Sequence, residues 1–470
     1  MGRVTDSDGV RILSRRMVRP SSPAPTAGNG HRPPKDEVEE IHLTPWDLRL
    51  LTVDYIQKGI LLPKPPVAGD RLLAALAASL AAALGRFHLF AGRLAAEERG
   101  DGTVTVSLRC TGEGAELVHA AAPAVAVADI AASLYTPPVA WSLYQLNEVL
   151  NADAAVEPHP PVLSVQVTEL ADGVFIGVSM NHSVGDGTTF WDFFNTWSAI
   201  HRSGGIAGGD ELSAPAPVHR RWFLEGSPVP IPLPFGKLQH AVRRFERTPV
   251  QECFFTISGA SVGRLKARAN GEMAGAATAE ISSLQSVLAH LWRAVCRARR
   301  LPPEQRTLYS LLVGCRGRVG GVPAAGYVGN AVVFGRAEAP AGEVEAKGLG
   351  WTAWLLNRAV ASFDEARMRE ALGRWARQPE FTYAGELSGG GTAVLTGSSP
   401  RFDVFGNDFG WGRPAAVRSG PGNKVDGKAT VFEAPPEKGG GMSLEVCIAP
   451  EALARLVADE EFMDAVTVPS

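Results

Sequence analysis

Apolar and polar residues alternate from Leu163 to Thr168, with Leu163, Val165 and Val167 on one face and Ser164, Gln166 and Thr168 on the other. A period of two predicts a half-buried strand. Ala171-Asp172-Gly173 follows, and Asp and Gly tolerate the positive φ of a tight hairpin turn. Val174-Phe-Ile-Gly-Val178 is then the returning strand, more fully buried. Beyond a glycine-flanked loop the period becomes helical. Phe190, Trp191, Phe193, Phe194, Trp197 and Ile200 fit one inner face, with Thr188 or Thr189 as N-cap.

Leucines 72, 73, 76, 80 and 84 mark the buried face of another helix. It is too short for the ~18 apolar residues of a membrane span, and no other run comes closer. Ser282 and Gln285 form a capping box ahead of Leu284, Val287, Leu288, Leu291 and Val295, a third amphipathic helix. Val10 to Val18 predicts a first strand, followed by a Pro/Gly/Ser loop through Pro34. The Gly-rich stretch from Ser203 to Asp210 and the proline run through Pro234 hold no periodic segment, which marks a crossover. The expected division is 1–205, a linker at 206–241, and 242–470.

At 470 residues the chain can bury two full cores. A net charge of −3 gives no basic field for nucleic acid. The five cysteines (110, 253, 296, 315 and 447) are scattered and never spaced as CxxC, which argues against a disulfide framework and a zinc site. Gly389-Gly-Gly391 and Gly439-Gly-Gly441 read as surface loops, since no Gly-Lys-Ser/Thr follows either. Asp6 breaks the myristoylation pattern that Met1-Gly2 would begin.

The chemistry concentrates in Gly177-Val-Ser-Met-Asn-His-Ser-Val-Gly-Asp-Gly187. His182 is delivered by a strand into a loop that a helix closes, so it is well placed to act as a general base. The plainer alternative is a core histidine satisfied by a backbone carbonyl. Asp186 follows four residues later. Asn181-His182-Ser183 is formally a glycosylation sequon, and a glycan there would block the base, which favours a cytosolic protein.

This stretch resembles the HHxxxDG motif of the plant BAHD acyl-CoA-dependent acyltransferases. Their second motif, DFGWG, is present as Asp408-Phe-Gly-Trp-Gly412, followed by Arg413-Pro414. Leu43-Thr-Pro-Trp-Asp47, Ala91-Gly-Arg-Leu94, Ser282-Ser-Leu-Gln285, Arg316-Gly-Arg318 and Tyr327-Val-Gly-Asn330 are similar too. The similarity runs from about Val10 to about Met463 and is greatest to an acetyltransferase-like subgroup. It implies an α/β fold of two pseudo-equivalent domains like chloramphenicol acetyltransferase, each a mixed sheet with helices. The active site would lie in the channel between them, CoA entering from one face and the acceptor from the other. Members begin with a strand, so Arg11, Arg15, Arg16 and Arg19 belong to β structure rather than to a transit peptide.

The resemblance also assigns roles. His182 is the catalytic base. Asp186, with Gly187, supports the site by pairing with an arginine, for which Arg316 is the candidate, although an orienting triad role is the rival. Asp408, Gly410, Trp411 and Gly412 shape the channel without touching the reacting atoms. Ser283 at a helix N-terminus and Lys266 are the CoA-binding candidates, with Arg268 nearby. Acyl-CoA is the co-substrate, no cofactor is permanently bound, and no metal is needed. The partners are a small alcohol or amine acceptor, with no nucleic acid or membrane span, and the chain is expected to be a monomer.

Three positions depart from the pattern. Asn181 replaces the first histidine of the pair, Leu89-Phe90-Ala91-Gly92-Arg93 replaces Pro-Leu-Ala-Gly-Arg, and Gly397-Ser398-Ser399 stands where Thr-Ser-Trp is common near the acyl carbonyl. Loss of that tryptophan opens the pocket and leaves the oxyanion donors open. The expected activity is transfer of an acyl group from CoA to a hydroxyl or amine. The rivals are lyase chemistry with the same histidine and a non-catalytic binding role.

Overall fold

In the computed structural model, residues 9–21, 38–156, 158–204, 215–275 and 279–467 are described. Most of the proline-rich loop through Pro34 and the glycine-rich start of the crossover lie outside them.

Two large mixed sheets and one small one organise the chain. The first sheet contains β1 (Arg11–Val18), β3 (Ile56–Pro63), β6 (Ala115–Ala122), β7 (Leu163–Leu170), β8 (Gly173–Met180) and β13 (Ala416–Ser419), in the order β1-β6-β7-β8-β3-β13. The second contains β9 (Gln251–Ile257), β10 (Arg306–Gly314), β11 (Val332–Pro340), β12 (Ala393–Gly397), β14 (Lys428–Glu433), β15 (Met442–Ile448) and β16 (Val466–Thr467), in the order β11-β10-β12-β14-β15-β9-β16. A small sheet joins β2 (Glu40–His42), β4 (Arg93–Glu98) and β5 (Val104–Arg109). Parallel pairs (β6 with β7, β10 with β12, β12 with β14) occur among antiparallel ones, as a mixed α/β architecture requires.

The hairpin forms at the predicted turn, with Leu163 opposite Met180. Its first strand is not half-buried, however. Ser164, Gln166 and Thr168 are as buried as the apolar face. The segment Pro138–Leu143 and the residues after it cover that face, and Gln166 bonds the Ser142 carbonyl at 3.0 Å and the Thr168 hydroxyl at 2.9 Å. Alternation reports polarity, and a polar face can be buried where such partners satisfy it.

The helices Gly69–Arg86 and Gly187–Arg202 pack together, with Leu72, Leu73, Leu76, Leu80 and Leu84 inside and an aromatic stack from Phe190 to Trp197. Both contribute to one core, while the helix Ser283–Arg299, capped by Ser282 and Gln285, belongs to another. No helix among the described residues is long and apolar enough to cross a membrane.

The division at 242 needs one correction. After β12 the chain leaves the second sheet, places Val404, Phe405, Phe409 and Val417 in the first core, and adds β13 to the edge of β3. It then returns as β14. Residues 242–470 are therefore not self-contained, and Asp408–Gly412 sits on the first unit. The crossover also packs inward, with Ile231, Leu233 and Leu238 in the same core and Leu233 bridged to Val104.

Candidate active site

His182 stands two residues past the end of β8, and its main chain is held from both halves. Its N–H donates to Asn151 Oδ1 at 2.7 Å, and its carbonyl accepts from Asn330 Nδ2 at 2.7 Å. Asn330 is itself anchored, its N–H and Nδ2 both donating to buried Asp47 Oδ1 at 3.0 Å. The ring is half-buried and its Nδ1 has no hydrogen-bond partner. Burial lowers the pKa from the ordinary 6.5, Lys428 adds to the lowering, and the backbone carbonyl and Asp186 oppose it. The ring is thus neutral at pH 7, the form a general base needs. Asn181, inside the sequon, is buried with Nδ2 bonded to the Asn151 carbonyl at 3.0 Å, so the folded chain offers no glycan site there.

Asp186 does not bond the His182 ring. Its carboxylate takes Arg316 in bidentate fashion, at 2.6 and 3.0 Å, and accepts the Ala331 N–H at 3.0 Å. It also accepts the N–H groups of Thr188 and Thr189 at 3.1 and 3.2 Å. Asp186, rather than either threonine, is therefore the N-cap of the helix Gly187–Arg202. Burial alone would raise its pKa, but Arg316 and these donors hold it below the usual carboxylate range. Arg316 also donates to the carbonyls of Tyr327 and Gly329 at 3.0 and 2.9 Å. A second buried arginine, Arg221 from the crossover, bonds the Val184 carbonyl at 2.9 Å and that of Val328. Two arginines thus tie the His182 loop to the 315–331 loop of the second half. Gly187 lies beneath Phe402, whose ring would stand 3.2 Å from an added β-carbon.

The Asp408–Gly412 loop belongs to a different neighbourhood. Asp408 Oδ1 accepts from the N–H of Gly410 at 2.7 Å and of Gly412 at 3.1 Å, at glycines with φ of +97° and +129°. Phe409 packs edge-on to Trp197, and Trp411 edge-on to His201, on the helix behind His182. Ser283 begins the Ser283–Arg299 helix, but Lys266 is half-buried and paired with Glu280 at 2.7 Å. The structure does not bring these two toward His182 by any direct contact.

Several site residues carried no sequence signal. Asn151 is one. A buried cluster where the large sheets meet is another: Lys424 bonds Glu252 at 2.6 Å and also Glu445, while Lys58 donates to Ser419 Oγ at 2.5 Å. Burial pulls Lys58 down to about 7, but Glu445, which burial alone would raise, is held low by Lys424 and Lys58. Among the described residues, one set of three metal-ligand types converges: Glu39, His88 and Cys110. There His88 Nε2 already bonds Glu39 at 3.0 Å, and burial pushes the Cys110 thiol up to about 12.

Two mixed sheets joined around a histidine loop define an acyltransferase of the two-domain kind, and comparison with known proteins agrees. A family model described as "Transferase family" matches residues 10–463. An uncharacterized acetyltransferase of Arabidopsis thaliana is 36% identical over 91% of this chain and 94% of its own length. BAHD acyltransferase DCR of the same plant is 30% identical over 97% of this chain and 92% of its own. In fold, TRI101 of F. graminearum complexed with ethyl coenzyme A matches with a TM-score of 0.71 at 18% identity, covering 92% of this chain and 99% of that one. The chain belongs to the BAHD acyltransferase family, and it is an enzyme.

Proposed function

We propose that this enzyme moves an acyl group from a CoA thioester directly to a hydroxyl or amine of a small metabolite, with His182 as general base. The observation that carries this reading is His182 itself. It is neutral, held through its main chain by Asn151 and Asn330, and its ring Nδ1 has no hydrogen-bond partner. It takes the acceptor's proton as the oxygen or nitrogen attacks the thioester carbonyl. The tetrahedral oxyanion then collapses and expels the CoA thiolate, which takes up a proton. Asp186 and Arg316 keep the loop in place. The capped N-terminus at Ser283, with Lys266, is our candidate for a CoA phosphate. Lys266 would have to leave Glu280 to reach it. A glycan added before folding would keep Asn181 from its buried place, which favours a compartment without glycosylation, and the cytosol fits.

The rate should follow the neutral histidine. With acceptor well below KM, kcat/KM should rise with pH through an inflection below 6.5 and reach its plateau by neutral pH, because the lowered pKa keeps the base neutral in mild acid. An inflection at or above 6.5 would contradict a buried base.

Transfer should proceed in one ternary complex. An acyl-enzyme would need an activated nucleophile beside its base. Burial instead pushes the thiols of Cys253, Cys296 and Cys315 up to about 12, 11 and 12, and Ser183 Oγ is buried without a partner. Double-reciprocal plots should intersect. Intact-mass spectrometry of enzyme with acyl-CoA alone should show no adduct, and a stoichiometric adduct discharged by acceptor would overturn direct transfer.

A further inference from the structure

Of the three lysines near the junction of the large sheets, two are satisfied. Lys424 has Glu252 and Glu445, and Lys58 has Ser419 and the face of Phe432. Lys428, on β14, forms neither a hydrogen bond nor an ion pair with any described residue, yet its side chain runs inward. Its Nζ lies over Gly397, where an added β-carbon would stand 2.9 Å from it. A larger residue there would push the ammonium aside, so the glycine and the lysine fit as a pair. Ser398, next in the chain, holds φ at +74° with a buried, unpartnered Oγ. Such backbone strain in a non-glycine residue collects at functional sites. The charge of Lys428 also acts on His182, which sets this cation within electrostatic reach of the base.

Lys428 is half-buried with no counter-ion among the described residues, an arrangement that weakens a fold unless a ligand supplies the missing charge. Resting on the transferase reading above, we infer that Lys428, with Ser398 beside it, forms an anion subsite of the transfer channel that takes a carboxylate carried by one of the two substrates. The carboxylate belongs either to the acceptor or to the far end of the acyl group. Burial, helped by Lys424, outweighs Cys447 and Glu445 and brings Lys428 down to about 8. The subsite is charged below that pH and loses its hold on an anion above it.

The experiment uses matched probes with the full-length enzyme. Acetyl-CoA is paired with 4-hydroxybenzoate or its methyl ester in one arm. Malonyl-CoA is set against acetyl-CoA with a neutral alcohol in the other. Wild type should favour the carboxylate in one arm, which names its source. Lys428→Met should reduce that preference about 10–100-fold, the worth of a charged hydrogen bond, and remove the decline in kcat/KM above pH 8. Thermal shift with 4-hydroxybenzoate against its ester reads the subsite without turnover. Failure of the transferase reading would therefore appear as absent CoA release with carboxylate binding intact. Lys428→Met should melt no lower than wild type, since it removes an unpaired charge. If it does not fold, Gly397→Ala, which crowds Nζ, should lower the same preference. Equal losses for charged and neutral substrates, or a wild type indifferent to the carboxylate in both arms and in the melt, would overturn the subsite.

Discussion

Replacing His182 with alanine is expected to lower kcat ~10²–10⁴-fold, the usual worth of a positioned general base, while the protein still melts cooperatively near the wild-type temperature. The two effects separate because the bonds that hold this loop come from the histidine main chain, to Asn151 and Asn330, and alanine keeps both. The half-buried ring makes no hydrogen bond through Nδ1, so no donor is stranded when it goes. Steady-state kinetics beside a circular-dichroism melt would check both halves of the expectation. Near-normal turnover would remove His182 from the chemistry, and a collapsed melt would assign it to the core.

Asp186→Asn should behave in the opposite way, losing stability along with activity. The amide oxygen can still cap Thr188 and Thr189, so the substitution removes the ion pair with Arg316 and the bond from the Ala331 N–H while sparing the cap. Asp186 is 2% exposed and the Arg316 side chain 11%, and a stranded buried charge costs about 3–5 kcal/mol. The pH dependence follows from the lowered pKa. The ionised carboxylate stabilises the fold fully above the ordinary 3.8, and that contribution disappears as pH falls through the depressed value. The variant should therefore show a shallower loss of stability in acid than wild type. A variant as stable as wild type, with only turnover reduced, would favour a triad-like role.

Local pattern made several elements legible. The hairpin at Asp172-Gly173, the Ser282–Gln285 cap and the leucine face from 72 to 84 all follow from spacing over fewer than twenty residues. His182 stood out because a strand and a helix flank it. The N-cap was misplaced because Asp186, Thr188 and Thr189 are all good capping residues, and the choice fell to the backbone, extended at Asp186. The lysine cluster left no local trace. Lys58 stands far from Lys424 and Lys428 in sequence, and only the meeting of two sheets brings the three together near Glu252 and Glu445, with Lys424 buried. Asn151 and Asn330 are separated from His182 by other elements and by the chain's own return, so no window could join them.

The edge strand β13 sets an order on the birth of the molecule. A ribosome releases β3 and β8 early, but the strand that covers the free side of β3 lies more than two hundred residues later. At ~5–20 residues per second this is a delay on the order of tens of seconds. Throughout it, the nascent first sheet carries an open row of backbone donors and acceptors at Lys58 to Leu61. Chaperone demand should therefore peak before the second half is complete, and a chain stopped after the crossover should associate with its own copies.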